Sequence, residues 1–267
     1  MLWVIGDIHG CYHTLTVLIQ RVLQADPKAK FGFTGDYTDR GPHTKEVIDL
    51  ILRLKDAGQL EFALRGNHDD VVAYILGMPS ETDLGELCLK PHDLNHVLLW
   101  WTQNGFMPTF FSYAPQVPAN QYLDWLYRDY RKILDTFKDG VPESHREFLR
   151  TLPCAWSNDS HFAAHAYASP TAKLRDFALS KGDKTEMLWG RFPRNPVTGV
   201  LDVPKCVWDK TGIFGHTPTS YYGATTPIKH EHIRLIDTMA FKGEYLCAFS
   251  IEADDWILET TAEADLG

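Results

Sequence analysis

Three short apolar runs, Leu2–Ile5, Phe31–Phe33 and Leu60–Leu64, each break off at a glycine-flanked polar turn, and each turn leads into a stretch of helical periodicity. After the first turn, Leu15, Leu18, Ile19 and Val22 share one face of a segment running from Cys11 to Ala25, which Asp26-Pro27 stops. After the second, Pro42 suits the first turn of a helix whose face is Val47, Ile48, Ile51 and Leu52, with Gly58 at its C-terminal cap. After the third, Asp69 and Asp70 stand at a helix start, where carboxylates favour the positive end of the dipole; Val71, Val72, Ile75 and Leu76 follow. Residues 1–77 therefore predict β-α-β-α-β-α with short connections, parallel strands and right-handed crossovers.

Residues 78–150 change character. Trp100, Trp101, Phe106, Phe110, Phe111 and Tyr113 crowd a segment broken by Asn104-Gly105 and Pro108. Tyr122–Phe137 then reads as one helix with Leu123, Leu126, Tyr127, Tyr130, Leu134 and Phe137 on a shared face, ended by Gly140 and Pro142; a second helical pattern covers Arg146–Leu152. The stretch predicts a helical insertion or cap within one domain spanning residues 1–267, its aromatic rings mostly core rather than a stacking platform for a base. From Asn158 the pattern turns strand-rich: His161–Ala166, Val207–Phe214, Ile233–Asp237 and Tyr245–Ile251. The acidic segment from Leu258 onward is poor in bulky apolar groups and is expected to fray.

Composition narrows the classes without choosing one. The chain is 44% hydrophobic and 23% charged, enough for a full core. A net charge of −9 disfavours a protein that grips nucleic-acid backbone, so any phosphate affinity must come from local cations. Five cysteines, Cys11, Cys88, Cys154, Cys206 and Cys247, are odd in number and form no C-x-x-C pair, which predicts reduced thiols and a cytoplasmic setting. Met1–Ile5 run straight into the first motif with no signal peptide expected ahead of it, and no apolar run approaches the roughly 20 residues of a membrane span.

The turns carry the chemistry. They read Gly6-Asp7-Ile8-His9-Gly10, Gly35-Asp36-Tyr37-Thr38-Asp39-Arg40-Gly41 and Gly66-Asn67-His68-Asp69. In an open α/β sheet all three fall at the carboxyl edge of the strands, where ligands bind. Asp7 and His9, one residue apart, can face one metal. Asp36 has two carboxylate oxygens and can bridge two cations. Carboxylate, imidazole and amide oxygen together suit Mn²⁺, Fe or Zn²⁺ better than Ca²⁺ or Mg²⁺. Arg40 offers a planar guanidinium for bidentate grip on phosphate oxygens. Arg65 is as well suited to an ion pair within the fold as to substrate.

The joint pattern GDxHG, GDxxDRG and RGNHD resembles the calcineurin-like metallophosphoesterases, and within them the phosphoprotein-phosphatase branch, which includes serine/threonine protein phosphatases and symmetrical diadenosine tetraphosphatases. The resemblance implies a four-layer α-β-β-α sandwich with a dinuclear site at one rim. It implies two divalent cations, Mn²⁺ first, with Fe, Zn²⁺, Co²⁺ and Ni²⁺ as alternatives. One would be held by Asp7, His9 and Asp36, the other by Asp36, Asn67, His165 and His216. His216 lies in Gly215-His216-Thr217-Pro218, similar to the family's GHTP turn; His165-Ala166-Tyr167 is similar to its His-Ala-Gly, with Tyr167 replacing the glycine. By the same resemblance His68 is the general acid oriented by Asp39, Arg40, Arg191 and Asn67 contact substrate, and Asp237-Thr238-Met239-Ala240 carries Met239 where the family has glycine. His161 is the rival to His165 but begins its strand rather than ending it; the other histidines (His13, His43, His92, His96, His145, His230 and His232) are expected on surfaces or helix faces.

Rival chemistries find no support. A cysteine-dependent phosphatase needs Arg six positions after its Cys, and Val17, Leu94, Ser160, Gly212 and Ala253 stand there instead. No G-x-x-x-x-G-K-[ST] loop exists. The expected substrate is a phosphorylated protein or peptide, or a small phosphoester, hydrolysed by direct attack of a metal-bridging hydroxide. A serine/threonine-type phosphoprotein phosphatase is the first reading. A diadenosine-polyphosphate hydrolase or other nucleotide phosphatase is the second, favoured by Asp69, where protein phosphatases usually carry Glu, and by the long cap. A non-catalytic phosphatase-fold scaffold is the third, disfavoured because every ligand and the acid are kept.

Overall fold

In the computed structural model, which describes residues 1–82, 93–168, 179–202 and 210–266, strand alternation sorts the apolar side chains into three layers. Strands β1 (Leu2–Ile5), β2 (Lys30–Phe33) and β3 (Leu60–Ala63) are parallel; β9 (Tyr245–Ser250) joins β1 antiparallel and β10 (Asp255–Thr260) completes the order β10-β9-β1-β2-β3. A second sheet has the order β4-β5-β6-β8-β7, with β5 (His161–Ala164), β6 (Thr211–Phe214) and β8 (Ile233–Leu235) parallel and β4 (Ala155–Ser157) and β7 (Ile228–His230) antiparallel at its edges. Val4, Phe62, Phe249 and Cys247 of the first sheet pack with Ala163, Ile213 and Ile236 of the second, so the two sheets meet face to face. Their alternates point outward: Ile5, Phe33 and Ala248 pack under helices on one side, and Phe162, Ala164 and Phe214 join Met187 and Tyr222 on the other. The chain is an α/β sandwich of two sheets with helices outside.

Helices α1 (Tyr12–Ala25), α2 (Thr44–Asp56) and α3 (Asn67–Ile75) follow β1, β2 and β3. The face of α2 is Val47, Ile48, Ile51 and Leu54; Leu52 is only half-buried, and the helix begins at Thr44, after Pro42 rather than on it. Gly58 has φ +65, the left-handed conformation that its lack of Cβ permits just past a helix end.

Five helices lie between Leu94 and Thr151: α4 (Leu94–Gln103), α5 (Phe106–Tyr113), α6 (Ala119–Arg128), α7 (Arg131–Gly140) and α8 (Glu143–Thr151). Trp101, Phe106, Phe110, Tyr122 and Phe137 pack into the same core as α1–α3. The single helix expected over Tyr122–Phe137 is two, broken at Asp129-Tyr130. The break resets the phase, leaving Leu123 and Tyr127 exposed while Tyr122 and Leu126, then Ile133, Leu134 and Phe137, turn inward.

The region after Asn158 also contains α9 (Lys181–Trp189), capped by a reciprocal Ser180–Asp183 pair. Val207 lies outside the described residues, as do His92, Cys88 and Cys206. The acidic tail does not fray as expected. β10 continues past Leu258, and Asp265, buried, accepts bonds from His13 N (3.1 Å), Thr14 N (2.7 Å) and Thr14 Oγ1 (2.6 Å). It thereby caps the N-terminus of α1, where Cys11 makes no side-chain cap. Among the described residues Cys11, Cys154 and Cys247 are buried free thiols, and no helix is long and apolar enough to cross a membrane.

Candidate metal centre

Every parallel strand but β8 delivers a predicted donor at its carboxyl end: Asp7 and His9 after β1, Asp36 after β2, Asn67 after β3, His165 after β5 and His216 after β6. Two glycines let these groups close in. A Cβ on Gly66 would strike Asp36 Oδ1, and one on Gly215 would strike Asp7 Oδ1. The turns are strained: His9, Asp36, Asp39, Arg40 and His216 all have positive φ (46°, 55°, 70°, 71° and 63°). Each such residue costs on the order of 1–3 kcal/mol and persists where its surroundings over-determine it, as at functional sites.

One carboxylate holds much of this turn geometry. Asp69, fully buried, accepts from the backbone N–H of Asp36 (2.8 Å), Tyr37 (3.0 Å), Thr38 (3.3 Å) and Gly66 (2.9 Å). The sequence placed it only at a helix start. Arg65, equivocal from sequence, is structural: it pairs with buried Asp70 at 3.1 Å and donates to the carbonyls of Leu149, Arg150 and Leu152.

The donor chemistry fits cations. His9 Nδ1–H donates to the Thr38 carbonyl (2.8 Å), which leaves the Nε2 lone pair facing Asp36 Oδ2 at 3.3 Å. His165 Nδ1–H donates to the Thr34 carbonyl (3.0 Å), and its Nε2 faces Asn67 Oδ1 at 2.9 Å and Asp36 Oδ1 at 3.4 Å. Acceptor meets acceptor in both places, an arrangement that a shared cation makes favourable; the backbone carbonyls fix the tautomers, as behind many metal-ligating histidines. His216 joins through its Nδ1, 3.0 Å from Asn67 Oδ1, while its backbone N–H donates to Asp7 Oδ2 at 2.9 Å.

Electrostatics agree. Burial, then the charges of Asp237 and Asp36, push the Asp7 carboxyl well above the usual range, and burial followed by Asp69 does the same to Asp36. Burial drives His9 and His216 well down and His165 down to about 3. Carboxylates that repel one another beside neutral imidazoles are relieved by positive charge between them.

His68 sits beside this group, its ring 4.7 Å from that of His9. Its Nδ1–H donates to Asp39 Oδ2 (2.8 Å), and its Nε2 accepts from Arg40 (3.0 Å). Burial, then Arg40, hold it well below the ordinary imidazole range. Asp39 is tuned as well: burial raises it to about 7 against the opposing bonds of Thr109 and Trp101. Trp101 Nε1–H donates to the same Oδ2 at 2.6 Å, and Asp39 N–H donates to Thr109 Oγ1 at 2.7 Å. Trp101 and Thr109 belong to α4 and α5, and no local signal in the sequence tied them to Asp39.

A cleft of about 560 Å³ opens over these groups, with Asp36, Asn67, His68 and His216 at its floor and Arg40 and Arg191 beside them. Trp101, Trp189, Tyr221 and Met239 supply its apolar walls. Met239 has φ +58, so its backbone takes the shape a glycine adopts without cost.

The sequence family described as calcineurin-like phosphoesterase matches residues 1–169. The chain is a calcineurin-like phosphoesterase. It is 31% identical to the symmetrical bis(5'-nucleosyl)-tetraphosphatase of Buchnera aphidicola, over 96% of both chains, and 30% identical to that of an Enterobacter strain, over 99% of this chain and 96% of the relative. A serine/threonine-protein phosphatase of Candida albicans is 43% identical over 67 residues, 25% of this chain and 16% of the relative. Among solved structures, one ascribed to a diadenosine tetraphosphatase superposes with a TM-score of 0.59 at 17% identity, covering 98% of this chain and 94% of that one. A Saccharomyces cerevisiae serine/threonine phosphatase superposes with a TM-score of 0.51, also at 17% identity, covering 97% and 79%. The phosphoesterase is accordingly a metal-dependent hydrolase of phosphoric esters, with divalent cations its cofactors.

Proposed function

We propose that this phosphoesterase cleaves dinucleoside tetraphosphates symmetrically, between the second and third phosphates, to two nucleoside diphosphates. The observation that supports the reading is the sequence alignment with symmetrical bis(5'-nucleosyl)-tetraphosphatases over 96–99% of the chain, whereas the sequence match to the Candida albicans protein phosphatase covers 67 residues and the yeast phosphatase shares the fold alone. The cleft supports it: aromatic walls at Trp189 and Tyr221 beside two arginines suit a ligand that alternates flat bases with phosphates. The phosphoprotein reading, first from sequence, becomes the rival.

In this mechanism Asp7, His9 and Asp36 would hold one cation and Asp36, Asn67, His165 and His216 the other, Mn²⁺ matching the mixed oxygen and imidazole set. Such a pair supplies Lewis acidity, lowering the pKa of water and polarising phosphoryl oxygens. Arg40 and Arg191 bind the phosphates. When Arg40 turns to a phosphate oxygen it releases His68 Nε2 and its cationic field is neutralised, so the imidazole gains proton affinity as substrate arrives. His68 then protonates the departing oxygen, and ionised Asp39 holds the tautomer and stabilises the imidazolium. Buried free thiols fit a cytoplasmic setting.

The test is turnover by the Mn²⁺-loaded protein of diadenosine tetraphosphate, a phosphothreonine peptide and p-nitrophenyl phosphate, with products resolved by chromatography. ADP as the sole product of the dinucleotide supports the proposal. AMP with ATP, or turnover of the peptide alone, overturns it.

A further inference from the structure

We infer that His13, His43 and Asp265 form a separate cation site of the class that takes Zn²⁺ or a similar transition cation. The three residues come from distant parts of the chain: the first turn of α1, the residue just before α2, and the C-terminal turn. One ring nitrogen of each histidine and one carboxylate oxygen lie within 4.8 Å of one another. The imidazoles meet edge to face, with centroids 4.9 Å apart. None of the three lines the substrate cleft.

Hydrogen-bond arithmetic leaves room for the ion. A carboxylate offers about four lone-pair directions. Asp265 Oδ2 accepts from both Thr14 N and Thr14 Oγ1, whereas Oδ1 accepts only from His13 N. Oδ1 therefore keeps a free direction, on the oxygen fixed beside the His13 backbone. The carboxylate is buried and pinned by three bonds, His43 is half-buried and bonded to the Ala264 carbonyl through Nε2 (3.1 Å), and His13 is exposed. Two imidazoles and one carboxylate make a three-donor set with an open position for water, a composition found in zinc sites. A helix cap needs only the carboxylate; it gives no reason for two imidazoles to gather on it.

An ion here ties α1, the start of α2 and the C-terminal segment together. His43 N–H also donates to the Gly10 carbonyl (3.2 Å), so the clamp reaches the turn that carries His9.

The experiment is a metal count. Wild type and the His13→Ala/His43→Ala double variant are dialysed against Zn²⁺ with buffer-matched controls, and metal per chain is measured by plasma emission. The variant is expected to hold one cation fewer, with hydrolysis of p-nitrophenyl phosphate unchanged, since neither histidine touches the dinuclear centre. Equal counts overturn the inference whatever substrate the enzyme prefers. If the double variant fails to fold, single His13→Ala, at an exposed position, is compared by the rise in Tm on adding Zn²⁺: a smaller rise than wild type supports the site, and an equal rise overturns it.

Discussion

Replacing Trp101 by Phe removes one hydrogen bond, from the buried indole N–H to Asp39 Oδ2 at 2.6 Å, and keeps an aromatic ring in the core. A hydrogen bond to a charged group contributes about 1.5–3 kcal/mol, and one pKa unit corresponds to about 1.4 kcal/mol, so Asp39 should rise by roughly one to two units. It starts at about 7 in the folded protein. At pH 7.5 its ionised fraction then falls from about three-quarters to between roughly a quarter and a thirtieth, a loss of about three- to twenty-five-fold. Only ionised Asp39 stabilises the His68 imidazolium, so the rate should fall by that factor wherever the leaving group needs a proton. The assay is kcat/KM at pH 7.5 over aryl phosphates of increasing leaving-group pKa. The deficit should grow along the series, shrink above pH 9 as Asp39 ionises again, and add little in an Asp39→Asn background, where the charge is already gone. A uniform deficit across the series, or full additivity with Asp39→Asn, would refute the coupling.

The direct test of the acid is His68→Asn, which should leave metal content intact and slow substrates with poor leaving groups most; equal slowing of good and poor leaving groups counts against the role. Met239→Gly relieves a left-handed residue, a gain of about 1 kcal/mol offset in part by glycine's flexibility, and should raise Tm by a degree or two while changing KM, because Met239 lines the cleft. An unchanged KM would remove Met239 from the substrate wall. Chelation should lower Tm by restoring repulsion among Asp7, Asp36 and Asp237, and added Mn²⁺ should reverse it; a chelator-insensitive Tm opposes the donor assignment. His145, buried between Tyr113 and Asp49, is held below the ordinary imidazole range by burial, against the pull of Asp49. The unfolded chain binds the proton more tightly, so stability should be lost as pH falls below about 6.5, and His145→Gln should flatten that slope in thermal melts from pH 7.5 to 5.5.

What the sequence made legible is local. Each donor follows an apolar run by one to four residues, so strand, turn and chemistry arrive in the same few positions, as in Ile5-Gly6-Asp7 or Phe214-Gly215-His216. What it hid depends on distant partners. His145 lies on a helix, as a surface or helix-face role allows, but its face is the buried one, and Tyr113 and Asp49, the partners that close over it, are far away in sequence. Asp265 sits in a segment whose composition suggests a loose end, yet its partners, His13 and Thr14, lie at the other end of the chain. The edge strand Asp255–Thr260 shows no period-2 alternation because its middle residues are half-buried on both faces. The break at Asp129-Tyr130 lacks glycine or proline, so periodicity runs through it unmarked.

Among the described residues, three hydrogen bonds tie the helical segment Leu94–Thr151 to Asp39 and Arg40. Gly105 O accepts from Arg40 N–H at 2.9 Å, Thr109 Oγ1 accepts from Asp39 N–H, and Trp101 donates to the Asp39 carboxylate. Asp39 and Arg40 are consecutive residues in left-handed conformation, a strained pair that isolated backbone would not hold. Their geometry is therefore set as much by α4, α5 and the turn between them as by the motif they belong to. The same α4 presents Trp101, and the turn presents Asn104, to the cleft. One segment thus positions Arg40, the proposed phosphate ligand, bonds to Asp39 beside the proposed acid His68, and lines the cleft. A change of substrate and a change of acid strength should travel together when this segment is altered, and relatives that share only the metal-binding turns need share neither.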